Sequence, residues 1–474
     1  MRYLHLFETD DSFEEQYNGE GYKEPWVSLT TENNKVKYNK SEKEKPLTFN
    51  ILSNGNIGWK ASNSNSVQTI QYSKNGGEWT DITSTTGGTT IDVVVGDVLR
   101  FKGNAWPGTD WGNYNQFTST CTFAAAGNPS SLKYELELTG DEPLADYCYY
   151  NMFNGCTGLV IAPELPTATL AEGCYLAMFS GCTSLTTAPS VLPATTLAQY
   201  CYGYMFDGCT SLTTAPELPA TTLVSYCYSG MFNGCTSLAT APALPATTLA
   251  SDCYSNMFNG CTSLATAPAL PATTLAEGCY QYMFYSCTSL TTAPSVLPAT
   301  TLANNCYYGM FSSCTSLTTA PELLATTLAN NCCQSMFEGC TSLTTAPALP
   351  ATTLAKSCYY GMFQSCSRLA SAPALPATTL AESCYFSMFN GCTGLTTAPE
   401  LPATTLETTC YYYMFHSCAS LNYVKCLATN ASGTTYTSGW LDGVSSTGTF
   451  YKKAGASWSS GVSGIPNGWT VVEV

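Results

Sequence analysis

The chain has 474 residues, of which 45% are apolar and only 11% charged, and its formal net charge is −16. This acidic balance argues against a nucleic-acid partner, because phosphates are bound by Lys and Arg. No apolar run approaches the roughly 18 residues of a membrane-spanning helix, so membrane insertion is not expected. The opening MRYLHLFETDDSFEEQYNGE has mixed charges and no apolar stretch, so a secretory signal peptide is not expected either.

The part of the chain before residue 126 divides into two predicted segments. Residues 1–45 are polar and contain YKEPWVSLTTENNKVKYNK, which we interpret as an arm or docking segment with one or two short strands. Residues 46–125 carry LTFNIL, TIQYSK, TTIDVVV and DVLRFKG, which are rich in β-branched and aromatic residues and separated by Gly- and Asn-containing turns. This pattern predicts a small all-β, sandwich-like domain.

An aromatic loop, WPGTDWGNYNQF, occupies residues 106–117 near the end of the predicted β domain. Its rings Trp106, Trp111 and Tyr114 form one candidate binding patch, because aromatic loops of this kind can stack on sugar rings. The alternative is a hairpin whose rings fold back onto the sandwich. The following residues 126–147 are interpreted as a bridge and N-terminal cap, with LKYELEL as a strand that enters the next region.

A repeat dominates the chain from residue 148 to residue 426. One unit reads CYSNMFNGCTSLATAPALPATTLAEG, and units follow one another every 26 residues, except for two steps of 27 where PSVLP carries one extra residue. The first cysteines of the eleven units are Cys148, Cys174, Cys201, Cys227, Cys253, Cys279, Cys306, Cys332, Cys358, Cys384 and Cys410. A fixed period of this length is typical of stacked repeats that form one elongated body.

Each unit is predicted to be one coil of a solenoid. As a helix at 100° per residue, CYxxMFxxC places its fixed apolar residues on one arc of about 140°, which indicates a one-sided helix. The following TSLxTAPxLPATTLA is predicted as a short strand and turn with Leu264, Ala267, Leu270 and Leu275 facing inward. A single coil cannot bury this apolar side but stacked coils can, and residues 427–474 are predicted to be a β-rich C-terminal cap.

The motif CYxxMFxGCTSLxxAPxLPxTTL, which recurs over residues 148–421, resembles the leucine-rich repeats of BspA-like surface proteins. Those repeats carry an AF or MF pair, then a Cys and an xSL. The resemblance implies an α/β solenoid, a leucine-rich-repeat array of eleven coils. The period of 26 is longer than usual for that family, and a Cys stands at its aliphatic position. Residues 24–40 and the closing GIPNGWTV resemble proteins encoded by gut bacteria and their phages.

Twenty-five cysteines raise the question of disulfides, since each unit holds two and the remainder are Cys121, Cys333 and Cys426. Residues eight apart along a continuous helix are separated by about 12 Å, too far for a disulfide, although a break before the second cysteine would allow one. The alternative is two ladders of buried free thiols. No C-x₂-C pair is present to favour a zinc site, and no histidine recurs beside the thiols to favour nucleophilic chemistry.

Catalytic motifs are not found in the sequence. The two histidines, His5 and His416, lie in unrelated segments, and nothing matches HExxH, GxSxG, a P-loop or a dinucleotide fingerprint. Acidic residues in the repeats, such as Glu217, Glu322 and Glu400, are single and one coil apart, which does not favour a paired-carboxylate site. We therefore predict no enzymatic activity, no catalytic residue, no metal site and no cofactor.

The units differ from one another mainly before CY, after CY and after MF. These positions hold Tyr, Asn, Ser, Gly, Asp, Glu, Gln, Phe and His, which resembles the composition of a binding paratope. The alternative is neutral drift of an exposed face. With the aromatic loop, the candidate ligand-binding residues are Tyr204, Asp207, Tyr282, Tyr285, Tyr308, Tyr360, Phe386, Tyr412, Trp106, Trp111 and Tyr114.

The function predicted from the sequence is non-enzymatic adhesion or recognition. Our first hypothesis is a phage virion appendage, made in the host cytoplasm, whose N-terminal segment docks to other virion proteins. Its coils would bind a bacterial surface glycan or protein, and the chain is expected to be a homo-oligomer. The alternatives are a bacterial cell-surface adhesin and a self-assembling coat or filament subunit that associates through its Thr- and Pro-rich strand face.

Overall fold

The computed structural model of the protein describes residues 30–32, 35–37, 45–136, 138, 142–429, 431 and 434–474. Most of the predicted arm, residues 1–45, lies outside this part of the chain. Among the described residues, no helix is both long enough and apolar enough to span a membrane. The strands and helices, in chain order, are β1 Thr30–Glu32, β2 Lys35–Lys37, β3 Thr48–Ile51, β4 Gly55–Ala61, β5 Thr69–Lys74, β6 Thr80–Thr83, β7 Thr89–Val93, β8 Val98–Lys102, β9 Asn115–Ser119, β10 Phe123–Ala126, α1 Ser131–Tyr134, β11 Leu159–Ile161, β12 Val296–Leu297, β13 Glu322–Leu323, β14 Tyr423–Cys426, α2 Thr434–Thr437, β15 Thr449–Lys452 and β16 Thr470–Glu473.

Strands β3–β10 form two sheets that pack face to face. One sheet has the order β11-β10-β3-β8-β5-β6 and the other the order β7-β4-β9. Their shared interior is aromatic: the Phe49 ring lies 4.8 Å from that of Phe101 and 4.9 Å from that of Phe117, and Trp59 lies 4.7 Å from Phe117. Alternation along the strands produces this core, because every second side chain points to the same face of a sheet. The predicted LKYELEL strand is wrong over its first three residues, which lie in helix α1.

The CYxxMFxxC segment of each coil is a chain of β-turns, so the predicted helix is wrong. In the coil that begins at Cys253, alternate N–H groups donate to the carbonyl three residues back, from Ser255 to Asp252 at 3.2 Å and from Met257 to Tyr254 at 3.2 Å. The same pattern recurs in all eleven coils. The two four-residue helices of the described chain, α1 and α2, both lie outside these segments. The fold is therefore a solenoid of turns and short bridges.

The turns repeat every four residues, with two side chains facing inward and the next two facing outward. Cys253, Tyr254, Met257, Phe258 and Cys261 are each at most 1% exposed. The last residue of every outward pair has a positive φ, near 50° to 76°, at the positions one before, three after and seven after the first cysteine. This left-handed residue turns the chain back inward, and it is the conformational element that the helix prediction lacked.

The N–H groups not used within the turns bond to the next coil. In the Cys253 coil, five such bonds of 2.8 to 3.1 Å reach the following coil, among them Tyr254 N–H to the Cys279 carbonyl and Phe258 N–H to the Met283 carbonyl. The backbone of the segment is thus satisfied alternately within the coil and between coils, which buried peptide groups require. All coils are consequently held in one parallel register.

The interior of the array consists of ladders of identical side chains. The phenylalanine ladder runs from Phe153 to Phe415 in every coil, with ring centroids 5.4 to 5.7 Å apart. A parallel tyrosine ladder begins with Tyr149 and Tyr175 and is interrupted where Cys333 replaces tyrosine. All 25 cysteines are buried and free. The second cysteine of each coil after the first donates its thiol to the phenylalanine carbonyl of the preceding coil, as Cys261 does to Phe232 at 3.1 Å.

The Thr- and Pro-rich half of each coil is held by isolated parallel bridges more than by strands. Thr266 pairs with Thr292, which pairs in turn with Thr319, and a second row includes the pair Thr248 and Thr274. Leu264, Ala267 and Leu270 are buried as predicted, whereas Leu275 is only partly buried. Proline in this segment removes N–H donors, so pairing between coils is limited to runs of one or two consecutive residues.

Both ends of the array are covered. At the N-terminal end, β10 pairs in parallel with β11 of the first coil, and the Phe117 N–H donates to the Met152 carbonyl at 2.8 Å. At the C-terminal end, β14, β15 and β16 form a parallel sheet, and Trp440 stacks on Trp458 with ring centroids 5.3 Å apart. These contacts remove the apolar end faces of the solenoid from water.

Candidate binding surface

The outward pairs of the turn segments form a continuous surface along the array, which we call the turn face. It comprises the residues two and one before the first cysteine of each coil and those two, three, six and seven after it. The left-handed backbone explains much of its composition, because Gly, Asn, Asp and Ser occupy most of the positive-φ positions. Such residues are the ones that adopt this conformation readily. Their frequency on this face is therefore a requirement of the fold and not evidence of binding.

Tyrosine on the same backbone positions has no such explanation. Six tyrosines of the turn face have φ between 52° and 60°, although a bulky side chain disfavours this conformation. They are Tyr147, Tyr200, Tyr204, Tyr226, Tyr282 and Tyr413. Each costs on the order of 1 kcal/mol or more relative to the Gly or Asn found in other coils. Tyrosine therefore occupies these six positions although the backbone conformation disfavours it.

Four of these tyrosines are paired with a glycine in the next coil or, for Tyr413, in the C-terminal cap. A Cβ added to Gly230 would overlap the Cδ1–Cε1 edge of the Tyr204 ring, and the same holds for Gly309 and Tyr282. The other two pairs are Tyr147 with Gly173 and Tyr413 with Gly439. The ring is therefore directed along the array toward its neighbouring coil, where only a residue without a side chain leaves room for it.

The central group of the turn face is formed by Tyr282, Tyr285 and Tyr308. Tyr282 meets Tyr285 edge to face at 5.5 Å and Tyr308 at 5.0 Å between ring centroids. Partial burial and a hydrogen bond with Tyr308 raise the pKa of Tyr282, so this phenol stays protonated. Tyr285 is 36% exposed. The predicted residues of these two adjacent coils are thus brought into one aromatic cluster. Tyr204, 41% exposed, lies apart from it and rests on Gly230.

The distal group lies on three later coils. Tyr360, Phe386 and Tyr412 stack in sequence, with ring centroids 4.5 and 5.1 Å apart and planes within 5° of parallel. Tyr413 meets Tyr412 edge to face at 4.6 Å, and His416 meets Tyr413 at 5.2 Å. Rings stacked on one another and half-buried at their edges lose little freedom when they bind a partner.

The junction group joins the β domain to the array. Trp111 of the aromatic loop lies 5.5 Å from Tyr147, 5.6 Å from Tyr150 and 5.7 Å from Tyr200, measured between ring centroids. We define the junction group as these four rings together with Tyr114, which meets Tyr150 at 5.1 Å. The loop patch and the turn face, predicted as two separate candidates, therefore form one surface.

Trp106 occupies a different environment from the other loop aromatics. It is partly buried and meets Tyr149 edge to face at 5.3 Å and Tyr134 at 5.5 Å. Tyr149 is the first rung of the internal tyrosine ladder. The Trp106 ring thus folds inward and packs between helix α1 and the first coil, whereas the hairpin alternative expected it on the sandwich.

Asp207 holds adjacent coils together. Its carboxylate accepts hydrogen bonds from Asn233 Nδ2 at 2.7 Å in the following coil and from the Ser180 hydroxyl at 3.3 Å in the preceding coil. Burial raises its pKa, and these two hydrogen bonds oppose the rise. Both carboxylate oxygens are thus engaged within the protein, which makes a structural role the better explanation of this residue.

The sequence analysis missed Tyr147, Tyr150, Tyr200, Tyr226 and Tyr413 as candidates. Tyr200 stacks on Tyr226 at 4.8 Å, and a hydrogen bond to Asp252 raises the pKa of Tyr226. The signal that would have found them is the four-residue period of the turns. This period makes the position one before the first cysteine equivalent to the position three after it. Tyr147, Tyr200 and Tyr226 hold the first of these positions, and Tyr204, Tyr282 and Tyr413 the second.

Among the described residues, no group of three or more His, Cys, Asp or Glu side chains is arranged to hold a metal ion. Burial raises the pKa of the Cys340, Cys279 and Cys418 thiols to about 12, which leaves them protonated at neutral pH. A thiol in that state is a poor nucleophile. The turn face thus offers stacking rings, hydroxyls, amides and carboxylates, which are groups for binding.

Stacked coils around one dry interior, with a variable aromatic outer face, define a leucine-rich-repeat solenoid. A family model described as BspA type Leucine rich repeat region matches the chain in six copies, over residues 177–289, 250–370 and 326–437, together more than half of the chain. The chain belongs to this family, as the repeat motif predicted. Leucine-rich-repeat families are generally non-enzymatic binding proteins, and BspA-like members are often found at the cell surface.

Comparison with solved structures finds a crystal structure of a leucine-rich repeat protein from Bacteroides ovatus. It is 16% identical, the match covers 55% of this chain and 76% of that chain, and the TM-score is 0.23. A comparison with curated proteins finds no match.

Proposed function

We propose that the protein is a recognition protein that attaches to a bacterial surface through the aromatic groups of its turn face. The observation that carries this proposal is the set of six tyrosines on left-handed backbone positions. Ser, Asn and Gly occupy the equivalent positions of other coils, so the fold does not require tyrosine there. Strain retained at particular positions of a surface supports a functional role for those side chains.

The test is a triple variant in which Tyr204, Tyr282 and Tyr308 are changed to serine. Serine already occupies the equivalent positions at Ser335 and Ser229, so the substitutions place no new residue type on the backbone. Attachment of the labelled full-length chain to a panel of gut bacterial strains is measured by flow cytometry. We expect the triple variant to lose attachment to every strain that the wild type binds, while its thermal unfolding temperature is unchanged or higher.

The matched control carries three substitutions in the Thr- and Pro-rich half of the coils. Thr213, Thr318 and Thr396 are exposed, and their equivalents in other coils are Ala239 and Ala265, so each is changed to alanine. This variant should attach as the wild type does. Equal attachment by the tyrosine variant, or equal loss by the threonine variant, would contradict the turn face as the binding surface.

The proposal also states where the protein is located, on a phage particle or on a bacterial cell. The resemblance of residues 24–40 and of GIPNGWTV to proteins of gut bacteria and their phages supports a phage virion appendage that docks through its N-terminal segment, as a homo-oligomer. The alternative is a bacterial cell-surface adhesin, which the family membership supports. An antibody against the chain applied to purified phage particles and to washed cells distinguishes the two. Signal on the cells alone would exclude the appendage.

A further inference from the structure

We infer that the junction group is a subsite for a neutral sugar ring, with the indole of Trp111 as its stacking platform. This inference rests on the proposed function and specifies the class of ligand. Trp111 lies at the tip of a loop and is 53% exposed, although indole rings are usually largely buried. A large apolar ring that remains in water is a cost to the isolated protein, which a ligand covering it would remove.

The exposed indole is held in a fixed orientation. Trp111 Nε1–H donates to the Tyr147 hydroxyl at 2.9 Å, and that hydroxyl donates to the Glu172 carboxylate at 2.8 Å. Partial burial and the bond to Glu172 raise the pKa of Tyr147 to about 12, so the phenol remains a donor at neutral pH. Tyr150 and Tyr200 complete the support with their rings inclined to the indole. A fixed ring loses little conformational entropy when a ligand stacks on it.

The loop that carries Trp111 is closed by its own hydrogen bonds. The Asp110 carboxylate accepts from the N–H groups of Gly112 at 2.8 Å and Asn113 at 2.9 Å. The Gly112 carbonyl accepts from Asn63 Nδ2 at 2.7 Å and the Ser62 hydroxyl at 2.9 Å, which ties the loop to the segment after β4. The platform is therefore preorganised by both its side chain and its backbone.

The groups around the platform suit a neutral polyol. Exposed carboxylates of Asp146 and Glu172 flank the rings, and the Glu172 N–H donates to Asp146 at 3.0 Å. Carboxylates accept hydrogen bonds from hydroxyl groups and repel phosphates and acidic polymers. A pyranose presents a face of C–H groups for an aromatic ring and a rim of hydroxyl groups for acceptors. The combination of a fixed indole with flanking carboxylates thus favours a neutral hexose over an anionic ligand.

The experiment is saturation-transfer NMR on the full chain with short linear oligosaccharides of glucose, galactose, mannose and N-acetylglucosamine. Three variants accompany the wild type: Trp111→Ala, Tyr147→Phe and the control Trp79→Ala, whose ring packs under the Lys102 ammonium at 5.0 Å. We expect saturation on the ring protons of at least one sugar. Its affinity should fall roughly ten-fold in Trp111→Ala and less in Tyr147→Phe, and it should be unchanged in Trp79→Ala.

The outcomes separate this inference from the proposed function. Absence of a signal from all four sugar series, or equal binding by Trp111→Ala, overturns the sugar subsite. If attachment to cells still depends on Tyr204, Tyr282 and Tyr308 in that case, the proposed function stands and its ligand is of another class. If a sugar binds at Trp111 but the tyrosine triple variant attaches as the wild type does, the subsite stands and the turn face is not the attachment surface.

Discussion

The ring of Tyr204 occupies the space that a side chain at Gly230 would need, one coil further along the array. This relationship predicts the stability of substitutions at two glycines with similar backbone angles. Gly230 has a φ of 60° and Gly234 a φ of 68°, but only Gly230 lies against a tyrosine ring. A comparison of the two separates the cost of the ring overlap from the cost of the backbone conformation.

We expect Gly234→Ala to cost about 1 kcal/mol and Gly230→Ala about 1 kcal/mol more, because alanine is strained at positive φ and must also displace Tyr204. Adding Tyr204→Ser to Gly230→Ala should restore stability to the level of Gly234→Ala. Urea denaturation followed by circular dichroism measures the free energies of unfolding. Equal losses of unfolding free energy at the two glycines would show that the Tyr204 ring does not need the space left by the missing side chain at position 230.

The buried thiols predict a sharp alkaline limit to stability. Burial raises the pKa of the Cys340 thiol to about 12 and also raises the pKa of the second cysteine of every other coil, whereas an exposed thiol in the unfolded chain ionises near 9. Because the folded pKa is the higher one, the thiols lower stability as the pH rises above 9. Two such thiols in one coil give a loss of about 3 kcal/mol for each pH unit in this range. Cys332 is the exception, because a hydrogen bond with Cys333 lowers its pKa.

We therefore expect the reduced protein to unfold cooperatively between about pH 9 and pH 11, as judged by circular dichroism. At pH 8 the native protein should resist alkylation of its cysteines, and the denatured protein should be alkylated at all 25 positions. Thiolate absorbance that develops while the circular dichroism signal stays native would contradict the buried ladders, since the thiols would then ionise within the fold.

Glu164 of the first coil predicts a second pH dependence, at lower pH. Burial raises the pKa of its carboxyl group to about 7, opposed by a bond from the Ser190 N–H. The folded value exceeds the usual value of 4.5, so the group stabilises the fold below about pH 4.5, and this contribution is lost as the pH rises to 7.

We expect the wild type to lose about 1 to 3 kcal/mol relative to Glu164→Gln between pH 5 and pH 7, because glutamine does not ionise. Urea denaturation at a series of pH values gives the difference in unfolding free energy. Glu217→Gln is the control, since Glu217 holds the equivalent place in a later coil and is exposed. Parallel pH profiles for the wild type and Glu164→Gln would show that Glu164 ionises normally.

The repeat and its inward residues could be predicted from the sequence because they depend only on pattern. Leu264, Leu270 and the fixed residues of CYxxMFxxC recur in every unit, except that Cys333 replaces the tyrosine of one unit. An apolar position that recurs in a solenoid faces the interior. The helix could not be distinguished from the turn chain in this way. Inward positions at 0, 1, 4, 5 and 8 fit a period of 3.6 and a period of 4 nearly equally well over so short a segment.

The binding surface was predicted only in part, for the same reason. Tyr204 and Tyr282 were predicted because the residue at their position differs from unit to unit. Gly and Ser at equivalent positions were interpreted as part of a binding composition, although the backbone conformation requires them. The contact between Trp111 and Tyr150 joins residues of two different domains, and no local pattern in either one indicates it. Such long-range contacts become visible only when the coils are assembled.

Because the coils present the same interior, apart from Cys333 in the tyrosine ladder, whole units are interchangeable modules at the level of the gene. Loss or gain of one 26-residue unit between near-identical copies would shorten or lengthen the molecule by one ring spacing, 5.4 to 5.7 Å in the phenylalanine ladder, and leave the core chemistry intact. Contacts between adjacent coils, such as Tyr204 with Gly230 and Asp207 with Asn233, restrict which units can be exchanged without loss of stability. The length of the array and the residues on its outer face can thus change together in one recombination event, whereas a point mutation changes one residue at a time.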